Sequence, residues 1–389
     1  MNNRRGRIVF FSSAITALLV AFSKLAAAEG ATVDTKGEFS FYVDDDAVTV
    51  ITPGVDLSVV HPLDGWSVNA GYLLDVVSAA SVDIVATASS AWVENRNVGV
   101  LGGSYKPNEW QGQISGAVSH EPDYLSLSGG VSLSVELDEK HITPLVGYSY
   151  SHDIGGRTGT PYDVYGLVLD RHSAQLSSAF VINKSTLLTL IGDAIFEFGS
   201  QEKPYRTVPL FSSVVASQLQ PGQSVDSVNA LRVGQAEEST PKTRQRYAAT
   251  ARIAWRGDAT TWILTERAYG DSWGVVASTT EINNIHDLSE DFYLGVHGRL
   301  HLQGGADFYE IGYTGGSTSG VVTLPAYRTG DRELGSETMF TGGLGAHWDF
   351  AETWGGDLQV DGGYTEYPNA LFITNRLSFL TALLINKEF

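Results

Sequence analysis

The sequence predicts an all-β fold: a transmembrane antiparallel β-barrel of about 16 strands, with long outer loops and short periplasmic turns. Three observations carry this reading. From Glu38 onward the chain divides into segments of about ten residues whose polarity alternates. Short and long connections alternate between the segments. The last stretch, 376–389, places Leu377, Phe379, Leu383, Ile385 and Phe389 on one face and Arg376, Ser378, Asn386 and Glu388 on the other, which is the period of a strand.

Residues 1–28 read as a signal peptide. Arg4, Arg5 and Arg7 form a basic head, Ile8 to Phe22 an apolar stretch too short to anchor the chain, and Ala26 to Ala28 a small-residue cleavage site. Residues 29–36 are expected to be a short periplasmic N-terminal segment, and 37–389 the barrel. The expected strands are 37–43, 47–60, 66–76, 96–106, 110–119, 124–137, 141–152, 171–182, 185–198, 243–256, 259–270, 272–283, 290–302, 336–350, 354–365 and 376–389. The clearest is 124–137, where Leu125, Leu127, Val131, Leu133, Val135 and Leu137 alternate with Ser126, Ser128, Ser132, Ser134 and Glu136. Pro53 is expected to mark a bulge or bend. This division puts the long connections 77–95, 153–170, 199–242, 303–335 and 366–375 at one end. It also puts Trp66, Trp110, Trp255, Trp262, Trp348 and Trp354 beside short turns, where amphipathic rings collect at the lipid headgroups.

Composition narrows the function. Losing residues 1–28 removes four basic residues and no acidic one, so the net charge moves from −19 to −23 and nucleic acid is not an expected partner. A chain without cysteine has no disulfide framework, no lipid-modified N-terminal cysteine and no Cys-ligated metal. Export places it in the outer membrane, with lipopolysaccharide and the barrel assembly machinery as expected partners.

Charged residues mark the candidate sites. Asp44, Asp45 and Asp46 fall at an outer hairpin and form a candidate divalent-cation site, although the spaced ligand pattern of a dedicated calcium loop is missing. On strand alternation, Arg244, Arg246, Arg252, His297, Arg299, His301, His347, Asp349, Asp357 and Asp361 point into the lumen, with Asp193 and Glu197 from earlier strands. A ladder of this kind either sorts permeating solutes by a transverse field or braces the wall with ion pairs. His297 and His301 share a face but stand ~13 Å apart at strand rise, too far to chelate one ion by themselves. No catalytic motif is present, and Ser119-His120, Ser151-His152 and His172-Ser173 are only nominal pairs. Neither enzymatic activity nor a cofactor is expected.

Motifs outside the strand pattern are more specific. They are Tyr42-Val43-Asp44-Asp45-Asp46, Ser78-Ala79-Ala80-Ser81-Val82-Asp83, Glu121-Pro122-Asp123-Tyr124, Lys203-Pro204-Tyr205-Arg206, Arg267-Ala268-Tyr269-Gly270-Asp271-Ser272-Trp273-Gly274, Ala306-Asp307-Phe308-Tyr309 and Gly330-Asp331-Arg332-Glu333-Leu334. In combination they resemble the outer-membrane barrels called domain of unknown function family 3570, from about Phe41 to the end, with Ala268 standing where that pattern usually has an aromatic residue. The resemblance implies a barrel without a settled biochemical function. It also implies company with small lipoproteins, thioredoxin-like proteins and flavin-transfer enzymes, and so a link to redox at the cell surface. The terminal Phe389 similarly resembles the aromatic assembly signal of outer-membrane barrels. Because most of these motifs fall in outer loops, Tyr205, Arg206, Arg267, Tyr269, Asp271, Trp273, Asp307, Phe308, Tyr309, Asp331 and Arg332 are expected to build a packed cap or plug. The functional expectation is a loop-gated channel or transport barrel for small solutes, with 199–242 and 303–335 folded across its mouth. The alternative is a closed-lumen scaffold for periplasmic or surface partners.

Overall fold

The computed structural model describes residues 30–79, 81, 86, 92–318 and 321–389; the expected signal peptide and part of the 78–83 motif lie outside them. In chain order the elements begin with β1 (Thr32–Asp44), β2 (Val48–His61), β3 (Trp66–Ala79), β4 (Trp92–Tyr105), β5 (Trp110–Glu121), β6 (Tyr124–Val135), β7 (Ile142–Gly155), β8 (Leu167–Asn183) and β9 (Thr186–Gly199). Next come β10 (Thr207–Phe211), helices α1 (Ser213–Ala216) and α2 (Val225–Leu231), and β11 (Gly234–Glu237). They are followed by β12 (Thr243–Arg256), β13 (Thr260–Asp271), β14 (Val276–Ser289) and β15 (Phe292–Gln303). The chain ends with β16 (Tyr313–Thr314), β17 (Gly316–Thr318), β18 (Val321–Thr323), the 3₁₀ helix η1 (Arg332–Leu334), β19 (Glu337–Ala351), β20 (Trp354–Glu366) and β21 (Asn375–Glu388).

Sixteen strands, β1–β9, β12–β15 and β19–β21, form one closed antiparallel barrel in which β1 pairs with β21. Closure removes every sheet edge, so each backbone polar group of the wall finds a partner inside the sheet. Alternation does the rest. On β12, Tyr247, Ala249, Ala251, Ile253 and Trp255 are exposed on the outside, while Arg244, Arg246, Ala248, Thr250 and Arg252 face inward. Outside, leucine, valine and aromatic rings stand bare. An apolar exterior, a polar interior and no free edge are the physical requirements of a strand-built membrane span. Trp110, Trp255, Trp262 and Trp354 are exposed at the short-turn end, and Trp255 and Trp262 are direct cross-strand neighbours, as a headgroup belt requires.

The sixteen expected strands appear in order, with corrections at their ends and at Pro53: β3 runs on to Ala79, β4 starts at Trp92 and not at 96, and β8 at Leu167 and not at 171. β1 starts at Thr32, so 32–36 lie in the wall and not in a free periplasmic segment; Asp34 to Gly37 pair with Glu388 to Ile385 to close the barrel. β14 runs from Val276 and not from 272, because Asp271 Oδ1 accepts the Trp273 and Val275 backbone N–H groups (2.9 and 3.1 Å) and holds 272–275 as a turn. Pro53 makes no bulge: the register is the same at Ile51↔Val76 and Gly54↔Leu73, and the proline only interrupts the ladder locally.

At the long-loop end, connections 200–242, 304–336 and 367–374 fold together. β11, β10 and β16 form a small sheet. Around it lie three buried apolar clusters: Val208, Leu210 and Tyr313; Phe211, Leu219 and Val228; and Trp273, Val275 and Ala306. Helix α2 is capped by Ser224, whose hydroxyl accepts the Ser227 N–H, and packs through Val228.

Candidate functional site

The lumen has two unlike walls. On the β4–β8 side, Ser104, Gln113, Ser115, Ser132, Ser149 and Gln175 line a cavity of about 1080 Å³, with Gly102, Gly116, Gly129, Gly130 and Gly147 between them. This wall is hydroxyl- and amide-rich and neutral through its middle. Charge gathers on the other wall. All ten ladder residues lie on lumen-facing positions of β12, β15, β19 and β20.

Their pairing divides the ladder. His297 Nε2 stands 2.9 Å from Asp361, and His301 accepts or donates with Thr279 Oγ1 at 2.7 Å and lies 3.5 Å from Glu337. His347 bridges Asp357 (2.7 Å) and Asp349 (3.3 Å) and stacks on Tyr293. The imidazoles therefore serve three separate carboxylate sets. Arg246 Nε meets Glu197 at 3.0 Å, and Arg171 holds the same carboxylate at 2.9 Å while reaching Asp153 at 3.5 Å. Arg252 and Arg299 have no ion-pair or hydrogen-bond partner among the described residues.

Two residues change place. Arg267, expected in the cap, points into the lumen and donates to Asp193 Oδ2 (2.9 Å) and Thr250 Oγ1 (3.1 Å). Arg244, expected in the ladder, serves the cap: its guanidinium lies 4.2 Å over the Trp273 ring and donates to Asp271, whose carboxylate also accepts from the Tyr269 hydroxyl. In both cases strand position decides. Arg267 lies four residues below the outer end of β13, and Arg244 one residue inside the outer end of β12.

The remaining cap residues come together. Trp273 packs edge-on against Phe308 (5.3 Å), with Tyr269 and Tyr309 beside them. Asp307 N donates to Trp273 O at 2.8 Å, and its carboxylate closes over Gly274 (φ 87°), where a Cβ would lie 2.2 Å from Asp307 Oδ1. Arg206 pairs with Asp331 and approaches Glu238, which accepts from Thr329 (2.6 Å) and Lys203 N (2.7 Å). Burial pushes the Glu238 carboxyl up against the pull of Arg206. Burial also acts to raise Asp331, but Arg206 outweighs it and holds that carboxyl below its usual range. Tyr205 stands apart at a seam, donating to Asp123 Oδ2 at 2.7 Å.

The Asp44–Asp46 turn does not gather its carboxylates at one point. Asp44 accepts from Tyr42 and from the Asp46 and Val48 N–H groups, Asp45 from Leu377 N, and Asp46 from Arg332 (2.6 Å). Protein donors take the place of the expected cation. A convergent acid set lies elsewhere: Glu94, Glu121 and Asp123 bring ligand atoms within 4.8 Å of one another at the outer end of β4 and β5. Glu94 fell in the expected connection 77–95 and stands a whole hairpin away in sequence from Glu121 and Asp123, which hid the set; Asp153 lay one residue beyond its expected strand, and Arg171 was the first residue of its own.

The model of the family described as "Protein of unknown function (DUF3570)" matches residues 89–370, which include the cap and most of the lumen. The chain belongs to this family. No curated protein matches it. Among solved structures, a bacterial polysaccharide outer membrane secretin matches at 10% identity and TM-score 0.50, over 92% of this chain and 98% of that one. The siderophore receptor PirA from Pseudomonas aeruginosa matches at 10% identity and TM-score 0.46, over 91% of this chain and 61% of the receptor. The likeness is one of fold: a closed barrel of the outer-membrane class. Of the family motifs, the cap absorbs those around residues 203–206, 269–274, 306–309 and 330–334. In the nominal Ser-His pairs, alternation separates the partners: Ser119, Ser151 and Ser173 face the lumen, while His120, His152 and His172 face outward.

Proposed function

We propose that this family member is a loop-gated channel or transport barrel for small solutes in an outer membrane. One observation carries the reading. Every buried apolar cluster among the described residues belongs to the cap, and the barrel interior is lined mainly by hydroxyls, amides and charges, with scattered aliphatic side chains such as Val100 and Ile195. Such a lumen stays hydrated, and Arg252 and Arg299, which make no ion pair among the described residues although Glu281 stands across from Arg299, are the cations it offers to an anionic passenger. The cap supplies the gate. The test is solute uptake by proteoliposomes, with whole protein and with protein lacking 205–240. Trimming should raise uptake of small anions above that of small cations; equal, negligible uptake by both would reject the proposal.

A closed-lumen scaffold is the second reading, and the number of connections joined by the cap favours it. Co-purification of a periplasmic or lipoprotein partner with the untrimmed protein, lost on trimming, would support it.

A further inference from the structure

Opposite charges face each other across the lower lumen. β2 and β12 stand eight strands apart whichever way the sixteen are counted, so they are opposite walls of the barrel. Arg252 lies four residues from the short-turn end of β12 and Asp56 five from that of β2, so the two sit at similar depth. On the β12 wall, Thr189 and Thr265 flank Arg252, and the same rung continues to Glu281 and Arg299. Two guanidiniums therefore stand against one carboxylate. On the β2 wall, Lys36 lies across from Asp56, and between Asp34 and Glu38 on the inner face of β1. Three carboxylates stand against one ammonium. Asp34, Lys36, Glu38 and Asp56, like Arg252 and Arg299, make no ion pair or side-chain hydrogen bond among the described residues. The wall also leaves room for Asp56: a Cβ on Gly71 would lie 2.2 Å from its Oδ1.

We infer that these walls favour small zwitterions as passengers, amino acids and short peptides among them. The inference rests on the reading of the barrel as a passage and names its solute class. Charges more than about 8 Å apart are largely screened at physiological ionic strength, so each wall acts on what passes beside it. A small anion is drawn to Arg252 and repelled along Asp34, Glu38 and Asp56, and a small cation meets the reverse. A zwitterion turns its carboxylate to one wall or its ammonium to the other, and so is accepted by both. An ion-pair brace would have joined these groups to partners on their own wall.

The chain has no cysteine, so a single lumen thiol reports the potential beside it. Thr189→Cys places one next to Arg252, and Ser58→Cys places one next to Asp56 and across from Asp34. Each full-length protein, folded in detergent, is treated with methanethiosulfonates bearing a sulfonate, a trimethylammonium or an amino-acid head. The sulfonate should react several-fold faster than the ammonium at Thr189→Cys and several-fold slower at Ser58→Cys. The zwitterionic reagent should keep pace with the faster ion at both. Adding Arg252→Gln should erase the first difference, and adding Asp56→Asn should reduce the second. Ala254→Cys reads the arginine wall if Thr189→Cys does not fold. Equal rates for the two ions, the same ion faster at both thiols, or a zwitterion that lags at either would overturn the inference and leave the passage reading standing. Thiols that no reagent reaches, in protein that migrates as a folded barrel, would reject the passage reading and the inference with it.

Discussion

Arg244 and Arg252 stand on the same face of the same strand and do different work. The Arg244 side chain is 10% exposed and its partner Asp271 0% exposed, so Arg244→Ala strands a buried carboxylate. That loss is expected to cost about 3–5 kcal/mol, read as a lower denaturant midpoint for the loss of heat-modifiable migration. Arg252→Ala breaks no ion pair and should leave that midpoint nearly unchanged while reducing anion preference. Alternation in the sequence placed both residues on the inner face. It could not tell them apart, because the distinguishing partners, Asp271 and Trp273, come from a turn in the next hairpin. Phe389 is a third case. Its backbone pairs with Val33, and its ring meets only the Lys387 ammonium (4.0 Å) among the described contacts. Phe389→Ala should therefore lower the folded amount in cells several-fold while refolding in vitro stays near normal; equal abundance in the membrane would contradict an assembly role.

At the scale of elements, strand existence was legible and strand ends were not. Period-two alternation is local, so each wall strand announces itself. Ends depend on side chains outside the pattern, as when the Asp271 carboxylate turns 272–275 out of β14. The cap elements are short and irregular, with no period to read. Their stability is expected to follow pH. The Asp331 carboxyl is depressed, so its contribution is present above the ordinary carboxylate pKa, about 4, and is lost as pH falls through the folded value. Glu238 is raised, so its contribution is present at and below the ordinary value and is lost as pH rises through the folded one. Proteolysis within 205–240 should therefore increase on the acid side of about pH 4. Asp331→Asn should flatten that acid limb over a higher baseline; an unchanged limb would place the acid sensitivity elsewhere.

At the scale of the molecule, the cap ties the outer connections to one another. Connection 200–242 reaches 367–374 through Gln223 N and Leu371 O (2.7 Å), 304–336 through Glu238 and Thr329 (2.6 Å), and the β7–β8 connection through Pro204 O and Arg157 (3.2 Å). Arg332 adds the β1–β2 turn through Asp46, a partner 286 residues away in sequence. Such distances explain why the sequence motifs identified the cap residues without showing how they meet. They also make the cap a cross-brace that must be released before the mouth can widen. Planar-bilayer conductance of the whole protein, and of protein lacking 205–240, tests the account most directly. It predicts small or rare anion-selective steps for the whole protein and larger, long-lived steps after trimming, with selectivity reduced by Arg252→Ala. Electrical silence in both, from protein that still migrates as a folded barrel, would contradict it.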